Sequence, residues 1–247
     1  MVEAITGVFT IDLALAAAVA IVSGVIHGYT GFGAALVMVP LLALMYGPVE
    51  AIAVTSIAGL IGSAQIYPGA ARIALWREVA PLTLAAVVAT PLGVMLLFSV
   101  DPEWIRRAIG VFVLLAALLI MSGWVYRGRR GAAASAVTGA VCGAVSGVAG
   151  VGGPPVVVYF LAAPEAVAVQ RANIVISIGV VIALVLGGLV VGGGVNGGTA
   201  ARGLVIAPVY MAGFWAGVRL FAIAPQTLYR KVALWLLMAT GLAALVF

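Results

Sequence analysis

Residues 28–33 read Gly28-Tyr29-Thr30-Gly31-Phe32-Gly33, and residues 147–152 read Gly147-Val148-Ala149-Gly150-Val151-Gly152. Both runs have the spacing G-x-x-G-x-G, and each follows an apolar stretch long enough to enter a bilayer and opens into another. Non-helical backbone is tolerated at membrane depth only where it is buried in protein or lines a cavity. Paired interruptions at corresponding positions of two halves therefore indicate the substrate site of a transporter.

The composition indicates that lipid surrounds most of this chain. Hydrophobic residues make up 65% of the 247 residues and charged residues only 8%, whereas soluble domains carry about 25% charged residues. So little polar material cannot cover a soluble surface, and the sequence predicts a polytopic helical membrane protein. The basic residues lie in short loops and at helix ends, with no basic patch among aromatic residues, so nucleic acid is not expected as a partner.

The rare reactive residues limit the chemistry of the chain. Cys142 is the only cysteine, which excludes an intrachain disulfide framework, and His27 is the only histidine. The sequence offers neither a histidine and cysteine cluster nor paired intramembrane carboxylates, so it predicts no metal site, no cofactor and no enzyme. Glu3 and Asp12, with no basic residue beside them, do not resemble the start of a cleaved signal peptide, and we expect the first apolar segment to be retained.

Apolar runs, and the glycine and proline residues between them, predict ten helical segments. They span residues 12–28, 33–46, 50–68, 77–99, 103–126, 132–149, 153–163, 168–193, 201–222 and 227–246. Segments 33–46 and 153–163 are too short to cross about 30 Å of hydrocarbon as straight helices. We expect them to be half-length helices or the return arms of broken hairpins.

The two halves also match away from the glycine runs. Gly93 corresponds to Gly217, and the pair Arg106-Arg107 corresponds to the pair Arg230-Lys231. These matches predict one transmembrane domain built from two repeats. The predicted units are the domain (1–247), the repeats (about 1–126 and about 132–247) and a basic linker (127–131).

The basic residues distinguish inverted from parallel repeats. Five crossings in each repeat make the repeats inverted and place nine basic residues in the cytoplasm: Arg72, Arg77, Arg127, Arg129, Arg130, Arg171, Arg219, Arg230 and Lys231. Only Arg106, Arg107 and Arg202 then face outward, whereas four crossings in each repeat divide the basic residues six to six. Because basic residues concentrate in cytoplasmic loops, we predict two inverted repeats of about five helical segments each, with both termini outside.

The glycine runs place helix ends near the membrane midplane. A helix N-terminus carries about half a positive charge and backbone N–H donors, which together attract anions. The second helix of each hairpin is expected to begin at Gly33 or at Gly152, and Pro154 suits a first turn because the N–H it lacks would have no partner there. The candidate anion-binding residues of the two runs are Gly31, Phe32, Gly33, Gly150, Val151, Gly152 and Gly153.

Glycine in these stretches also has a purely structural interpretation. Gly24 and Gly28 are four positions apart, as are Gly143 and Gly147. Small residues at this spacing let membrane helices approach closely. From the sequence alone both interpretations stay open.

Few polar side chains lie near the two runs. The candidates for substrate binding are His27, Tyr29, Thr30, Thr55, Ser56, Tyr159, Arg171 and Asn173. Their hydroxyl, amide and guanidinium groups can donate hydrogen bonds to anion oxygens, and His27 can gain a positive charge near neutral pH. The same groups could instead bond between helices, and Arg171 could extend to the cytoplasmic surface.

A resemblance to the TauE/SafE sulfite exporter family of membrane transporters is carried by residues 28–40 (Gly-Tyr-Thr-Gly-Phe-Gly-Ala-Ala-Leu-Val-Met-Val-Pro), by residues 53–56 (Ala-Val-Thr-Ser) and by the looser repeat at residues 147–159. It covers almost the full length, including the glycine and the paired basic residues near the last helix of each repeat. The resemblance implies an inner-membrane transporter for small sulfur-containing or carboxylate anions, such as sulfite or sulfonates. The chain has Ala34-Ala35 where further glycine is common in the family.

We therefore predict an all-α, multi-pass inner-membrane protein that exports a small anion, sulfite or an organosulfonate, by alternating access. Its partners are the bilayer and the anion, and His27 could couple transport to a proton. Association with further copies of the chain stays open. The alternatives are an anion channel, in which the glycine runs form a filter, and a carboxylate transporter of the same architecture.

Overall fold

The structure is a computed structural model that describes residues 11–30, 32–124, 126–223 and 242. This part of the chain is helical and contains no strand, as expected for backbone that must satisfy its own hydrogen bonds in lipid. The helices are α1 (Ile11–Thr30), α2 (Ala34–Tyr46), α3 (Pro48–Ser63), α4 (Tyr67–Ile73), α5 (Trp76–Ser99), α6 (Pro102–Met121), α7 (Ala132–Ala149), α8 (Gly153–Leu161), α9 (Val167–Val191) and α10 (Gly197–Ile223). A 3₁₀ turn, Ala64–Ile66, joins α3 to α4.

Seven stretches of the described chain are long and apolar enough to cross a membrane, which makes this a multi-pass membrane protein. They are α1, α3 together with α4, α5, α6, α7, α9 and α10. By contrast, α2 has 13 residues and α8 has 9, which corresponds to lengths of about 20 Å and 14 Å. Both are too short to span the hydrocarbon core, as the sequence predicts for these two positions.

The first nine predicted segments correspond to observed helices and differ from them in where some of these helices begin or end. The third segment continues to Ile73 rather than stopping at Pro68, because Pro68 lies in the first turn of α4, where a missing N–H is tolerated. The fifth segment ends at Met121 rather than at residue 126, and Gly123 turns the chain with a φ of +65°. The tenth segment, 227–246, lies outside the described residues except for Leu242.

Each hairpin returns the chain to the end of the molecule from which it starts. The hydroxyl of Ser135, in the first turn of α7, lies 2.9 Å from the hydroxyl of Tyr159 near the end of α8. In the first hairpin, Asp12 at the start of α1 is close enough to Tyr46 at the end of α2 to act on it electrostatically. Thus α8 runs back along α7, and α2 runs back along α1.

The most extensive helix contacts of the described chain join one half to the other, because α1 crosses α10 and α5 crosses α7. A Cβ atom added at Gly28 would lie 2.0 Å from the carbonyl oxygen of Phe214, and one added at Gly147 would lie 2.8 Å from the Cα of Gly93. The structural interpretation is therefore correct for four glycines, each of which faces the backbone of a neighbouring helix: Gly24, Gly28, Gly143 and Gly147.

Glu78, Arg130 and Tyr159 contact one another at one end of the molecule, and we call them the Glu78 cluster. The guanidinium of Arg130 pairs with the carboxylate of Glu78 at the start of α5. It also donates to the carbonyl oxygen of Tyr159 at 2.6 Å and lies 4.3 Å from the centre of that ring. The basic linker is thereby tied to α5 and to the end of α8.

The Glu50 cluster, formed by Glu50, Arg202 and Tyr46, lies at the opposite end. Arg202 at the start of α10 pairs with Glu50 at the start of α3, and its guanidinium lies 5.0 Å from the centre of the Tyr46 ring. The two clusters are at opposite ends because α3 and α4 run the length of the molecule between them. Each cluster thus contacts the C-terminal end of one half-length helix.

Candidate functional site

A single cavity receives both glycine runs. Phe32 and Gly33 line it from the first hairpin, and residues 150–153 line it from the second. Its volume is about 80 Å³, enough for a few water-sized groups, since a buried water needs roughly 15 Å³ by this measure. The cavity therefore lies where the two interrupted helices meet.

The glycines at the interruptions adopt backbone conformations that other residues avoid. Gly33, before α2, has a φ of +92°, and Gly150, after α7, has a φ of +69°, both in the left-handed region that glycine enters at little cost. Gly152 is required for a different reason. A Cβ there would lie 2.2 Å from the carbonyl oxygen of Cys142 and 2.3 Å from the hydroxyl of Ser146, so α8 can begin this close to α7 only with glycine.

The half-length helices differ in the backbone donors they can bring to the cavity. Ala34 and Ala35, the first two residues of α2, line the cavity and each carries a backbone N–H. In α8 the second and third residues are Pro154 and Pro155, which have no N–H, and only Gly153 supplies one from the first three positions. We conclude that the N-terminal end of α2 is the richer source of anion-binding donors.

One wall of the cavity is polar. It is formed by side chains from four helices: His27, Thr55, Ser63, Tyr67 and Tyr210. The Nδ1 atom of His27 is hydrogen-bonded to the hydroxyl of Tyr210, and the ring of Phe214 packs edge-on against His27 with ring centres 5.2 Å apart. Thr55 is only 7% exposed, and its hydroxyl has no hydrogen-bond partner among the described residues.

The wall contributed by α9 is aliphatic. Val175, Ile178, Val181 and Ile182 line the cavity from this helix. On α7, the hydroxyl of Ser146 and the thiol of Cys142 complete the lining beside the second hairpin. Hydrogen-bond donors and alkyl groups thus line the same cavity.

Formal charges are kept away from the cavity. None of the described residues that line it is aspartate, glutamate, lysine or arginine. The described acidic residues lie at or near helix ends: Asp12, Glu50, Glu78, Asp101, Glu103 and Glu165. No group of three or more potential metal ligands occurs in the described part of the chain. An anion in this cavity would meet N–H and O–H donors without opposing carboxylates.

The structure brings together eight of the predicted site residues as cavity lining: His27, Phe32, Gly33, Thr55, Gly150, Val151, Gly152 and Gly153. Gly31 lies outside the described residues, and Thr30 is the last residue of α1. Ser63, Cys142 and Tyr210 line the cavity although the sequence interpretation did not place them there. The spacing of Thr55, Gly59 and Ser63, four positions apart on one helix face, is the signal that could have identified Ser63.

The other five predicted site residues do not line the cavity. Tyr29 and Ser56 are buried in α1 and α3. Asn173 accepts a hydrogen bond from the backbone N–H of Leu75 at 2.7 Å, which fixes the turn before α5. Tyr159 belongs to the Glu78 cluster, and Arg171 is exposed beside a separate groove between α4, α9 and α10.

Comparison with known proteins identifies the family. The family model described as "Sulfite exporter TauE/SafE" matches residues 16–244, which include both glycine runs and every residue that lines the cavity. Neither the curated proteins nor the solved structures that were compared with the chain gave a match.

Proposed function

Since the chain belongs to the TauE/SafE sulfite exporter family, we propose that it is a secondary transporter that moves a small anion across the inner membrane by alternating access. The proposed substrates are sulfite, an organosulfonate or a related sulfur-containing anion, which leaves chemically unchanged. The cavity between the two hairpins is the proposed binding site.

The observation that carries this proposal is the convergence of the α2 and α8 N-termini on one cavity whose described lining contains no carboxylate. Helix N-termini favour anions through their dipoles and their N–H groups. Thr55 adds a buried hydroxyl without a partner among the described residues, which costs free energy unless a ligand accepts its hydrogen bond. The site thus supplies anion ligands without a buried lysine or arginine.

Alternating access is supported by the relationship between the two halves, which we take to be inverted repeats over about 1–126 and 132–247 within one domain. Each half begins with a returning hairpin, and the contacts of α1 with α10 are matched by those of α5 with α7. The first half then crosses the molecule with α3 and α4, with α5 and with α6. A returning hairpin followed by three crossings starts the second half at the opposite end, which supports an inverted relationship between the repeats.

The described basic residues agree with this orientation. Three lie at the end with the Glu50 cluster: Arg106, Arg107 and Arg202. Seven lie at the end with the Glu78 cluster: Arg72, Arg77, Arg127, Arg129, Arg130, Arg171 and Arg219. By the positive-inside rule the Glu78 cluster is the cytoplasmic end.

Proton coupling through His27 is part of the proposal. A protonated imidazole would add positive charge to the polar wall and strengthen anion binding, and its deprotonation would assist release. The hydrogen bond between Nδ1 and the hydroxyl of Tyr210 holds the ring at the cavity. Transport of the anion would then be linked to movement of a proton.

Countertransport in proteoliposomes tests the proposed function. Vesicles loaded with unlabelled sulfite should take up radiolabelled sulfite with saturation, and faster than vesicles without internal sulfite. Flux that neither saturates nor responds to internal sulfite would indicate a channel. Stimulation by internal short carboxylates and not by sulfite would indicate a carboxylate transporter of the same architecture.

A further inference from the structure

A surface groove leads towards the cavity from one end of the molecule. It lies between α4, α9 and α10, has a volume of about 550 Å³, and is lined by Ala168 near the start of α9 and by Val218 near the end of α10. Both of these helix ends lie at the end of the molecule that carries the Glu78 cluster. Because the described basic residues concentrate there, the groove opens on the cytoplasmic side, from which the proposed exporter takes its substrate.

Two residues line both the groove and the cavity. They are Ile66, in the 3₁₀ turn between α3 and α4, and Val175 of α9, which is only 8% exposed. Beside them, the hydroxyl of Tyr67 lies 3.1 Å from the position of a Cβ added at Gly179, so α4 packs on α9 at this boundary. An anion between two alkyl side chains loses water without gaining a hydrogen bond, which is costly. The boundary is therefore closed to ions unless it widens.

The break between α3 and α4 gives this boundary a hinge. Residues 64–66 form a 3₁₀ turn, whose hydrogen-bond geometry is poorer than that of an α-helix and which often marks a hinge. The short helix α4 packs mainly against α9, whereas α9 and α10 do not pack extensively against each other in the described part of the chain. Rotation of α4 about this turn would move Ile66 relative to Val175 and leave the longer helices in place.

The equivalent region at the opposite end of the molecule is filled by an aromatic ring. The Cε2 atom of Phe98, near the end of α5, lies 2.4 Å from the position of a Cβ added at Gly192, so the ring packs directly on the end of α9. By the spacing that relates Gly93 to Gly217, Phe98 corresponds to Ala222 of α10. The large ring of the first half is thus replaced by alanine in the second, which favours an opening at the cytoplasmic end.

Arg171 gives the groove a positive charge. Its side chain is exposed and is the only charged one in the described lining of the groove, and Gln65 adds an amide group that can donate hydrogen bonds. Arginine binds oxyanions through several N–H donors in a fixed geometry. Arg171 lies one helical turn before Val175 on the same face of α9, so an anion held by Arg171 is next to the boundary with the cavity.

We propose that the groove is the cytoplasmic entrance of the transport path, in which Arg171 captures the anion and Ile66 and Val175 form the gate to the cavity. This inference rests on the proposed function. The ligand of the groove is the transported oxyanion or sulfonate with its hydration water. The structure then describes a carrier with a closed gate and an entrance that is open to the cytoplasm.

Cysteine accessibility in inverted inner-membrane vesicles tests the path, in a Cys142→Ser background that removes the native thiol. The reagent is the anion 2-sulfonatoethyl methanethiosulfonate, which reacts with thiolates in contact with water. Ala70→Cys in the groove and Ile66→Cys at the gate should be modified, and ethanesulfonate should slow both reactions. Val88→Cys is the control, because Val88 is 69% exposed on α5 and lines neither groove nor cavity. It should stay unmodified.

Neutralising Arg171 tests the capture of the anion. Arg171→Gln should raise the KM for uptake from the cytoplasmic face roughly tenfold at low salt, and the difference from the wild type should shrink as salt screens the attraction. Uptake from the outer face should keep its KM. Arg219→Gln is the matched control, since Arg219 is exposed near the same end of α10 but does not line the groove. It should leave both KM values unchanged.

The outcomes separate this inference from the proposed function. Saturable uptake with no modification of Ile66→Cys or Ala70→Cys, the result expected of a groove filled by lipid, would refute the entrance and leave the transporter standing. Equal KM values for Arg171→Gln and Arg219→Gln at every salt concentration would refute the role of Arg171. No saturable uptake of any anion would refute the transporter and the entrance together. If Ile66→Cys does not fold, Ala70→Cys decides the matter.

Discussion

Tyr46 and Tyr159 hold equivalent positions at opposite ends of the molecule. Each lies at or near the C-terminal end of a half-length helix, and each has an arginine guanidinium over its ring, at 5.0 Å for Tyr46 and 4.3 Å for Tyr159. A positive charge at the C-terminal end of a helix is favourable because of the helix dipole. Both hairpins are therefore anchored at the surface, while their N-terminal ends point inward to the cavity.

The ion pair of the Glu78 cluster should contribute strongly to stability. Its side chains are 7% exposed for Glu78 and 17% for Arg130, so Arg130→Gln would leave a buried carboxylate unpaired at a cost of about 3–5 kcal/mol. Arg107→Gln is the control, since Arg107 and Glu103 are 46% and 56% exposed and such pairs contribute about 0–1 kcal/mol. Thermal unfolding in detergent should show a much larger drop in Tm for Arg130→Gln. Equal drops would contradict this account of the cluster.

Both chain termini should lie outside the cell if the repeats are inverted. A reporter that is active only outside the cytoplasm should be active when fused before Met1 or after Phe247, and inactive when inserted between Arg127 and Gly131. The reason is the concentration of basic residues at the end with the Glu78 cluster. A cytoplasmic location for either terminus would overturn the inverted arrangement.

Filling the cavity at Gly153 should stop transport without unfolding the protein. Within the described part of the chain, a Cβ at this position meets the Ile178 side chain alone, at 3.4 Å, and no backbone. Gly153→Val should therefore lower uptake at least tenfold while the Tm changes little. This position is a cleaner test than Gly150, where a φ of +69° would strain any larger residue.

Gly187→Val is the matched control for Gly153→Val. Gly187 is a helical glycine on α9 with open space around its Cβ position, and it does not line the cavity. Its substitution should leave uptake near the wild-type level. Equal uptake by both variants would show that the cavity is not on the transport path.

His27 should make anion affinity depend on pH. The other titratable side chains of the described cavity lining are Tyr67 and Tyr210 from α4 and α10 and Cys142 from α7, and in ordinary surroundings these titrate above about pH 8. Protonation of His27 adds positive charge, so affinity should increase as the pH falls and decrease as it rises. Ethanesulfonate is a suitable substrate because its own charge is constant over this range.

The variants that check this pH dependence change one property at a time. His27→Gln keeps much of the size and hydrogen bonding but cannot gain a charge, so its affinity for ethanesulfonate should be flat from about pH 5.5 to 7.5. Tyr210→Phe removes the partner of Nδ1 but not the titratable ring, and should move the midpoint without abolishing it. An unchanged pH profile in His27→Gln would rule out His27 as the proton carrier.

The helices and the interruptions could be predicted from the sequence because they depend on local properties. Apolar length, glycine and proline determine where each membrane helix starts and stops, and two equivalent glycine runs place the cavity between α2 and α8. The end of α4 does not follow from the sequence, because Pro68 normally indicates the end of a helix, whereas here it occupies the first turn of α4.

The polar wall could not be predicted because it depends on contacts between distant segments. Tyr210 reaches His27 only because α10 crosses α1 over their glycines. Asn173 is two positions from Val175, but two helical positions rotate a side chain by about 200°, away from the cavity. Tyr159 lies six positions beyond Gly153, about 9 Å along α8, and so reaches the Glu78 cluster instead.

The crossings between the halves also determine the order in which the protein can be assembled during synthesis. When α7 emerges from the ribosome its partner α5 has already been made, so the second hairpin can be anchored at once. The first hairpin is synthesised earliest, yet α1 must wait for α10, the last helix that the structure describes completely. Until then its glycine face is open to lipid or to the insertion machinery, and the cavity is incomplete. A nascent chain truncated before α10 would therefore insert most of its helices and still lack Tyr210, the residue that α10 contributes to the described cavity lining.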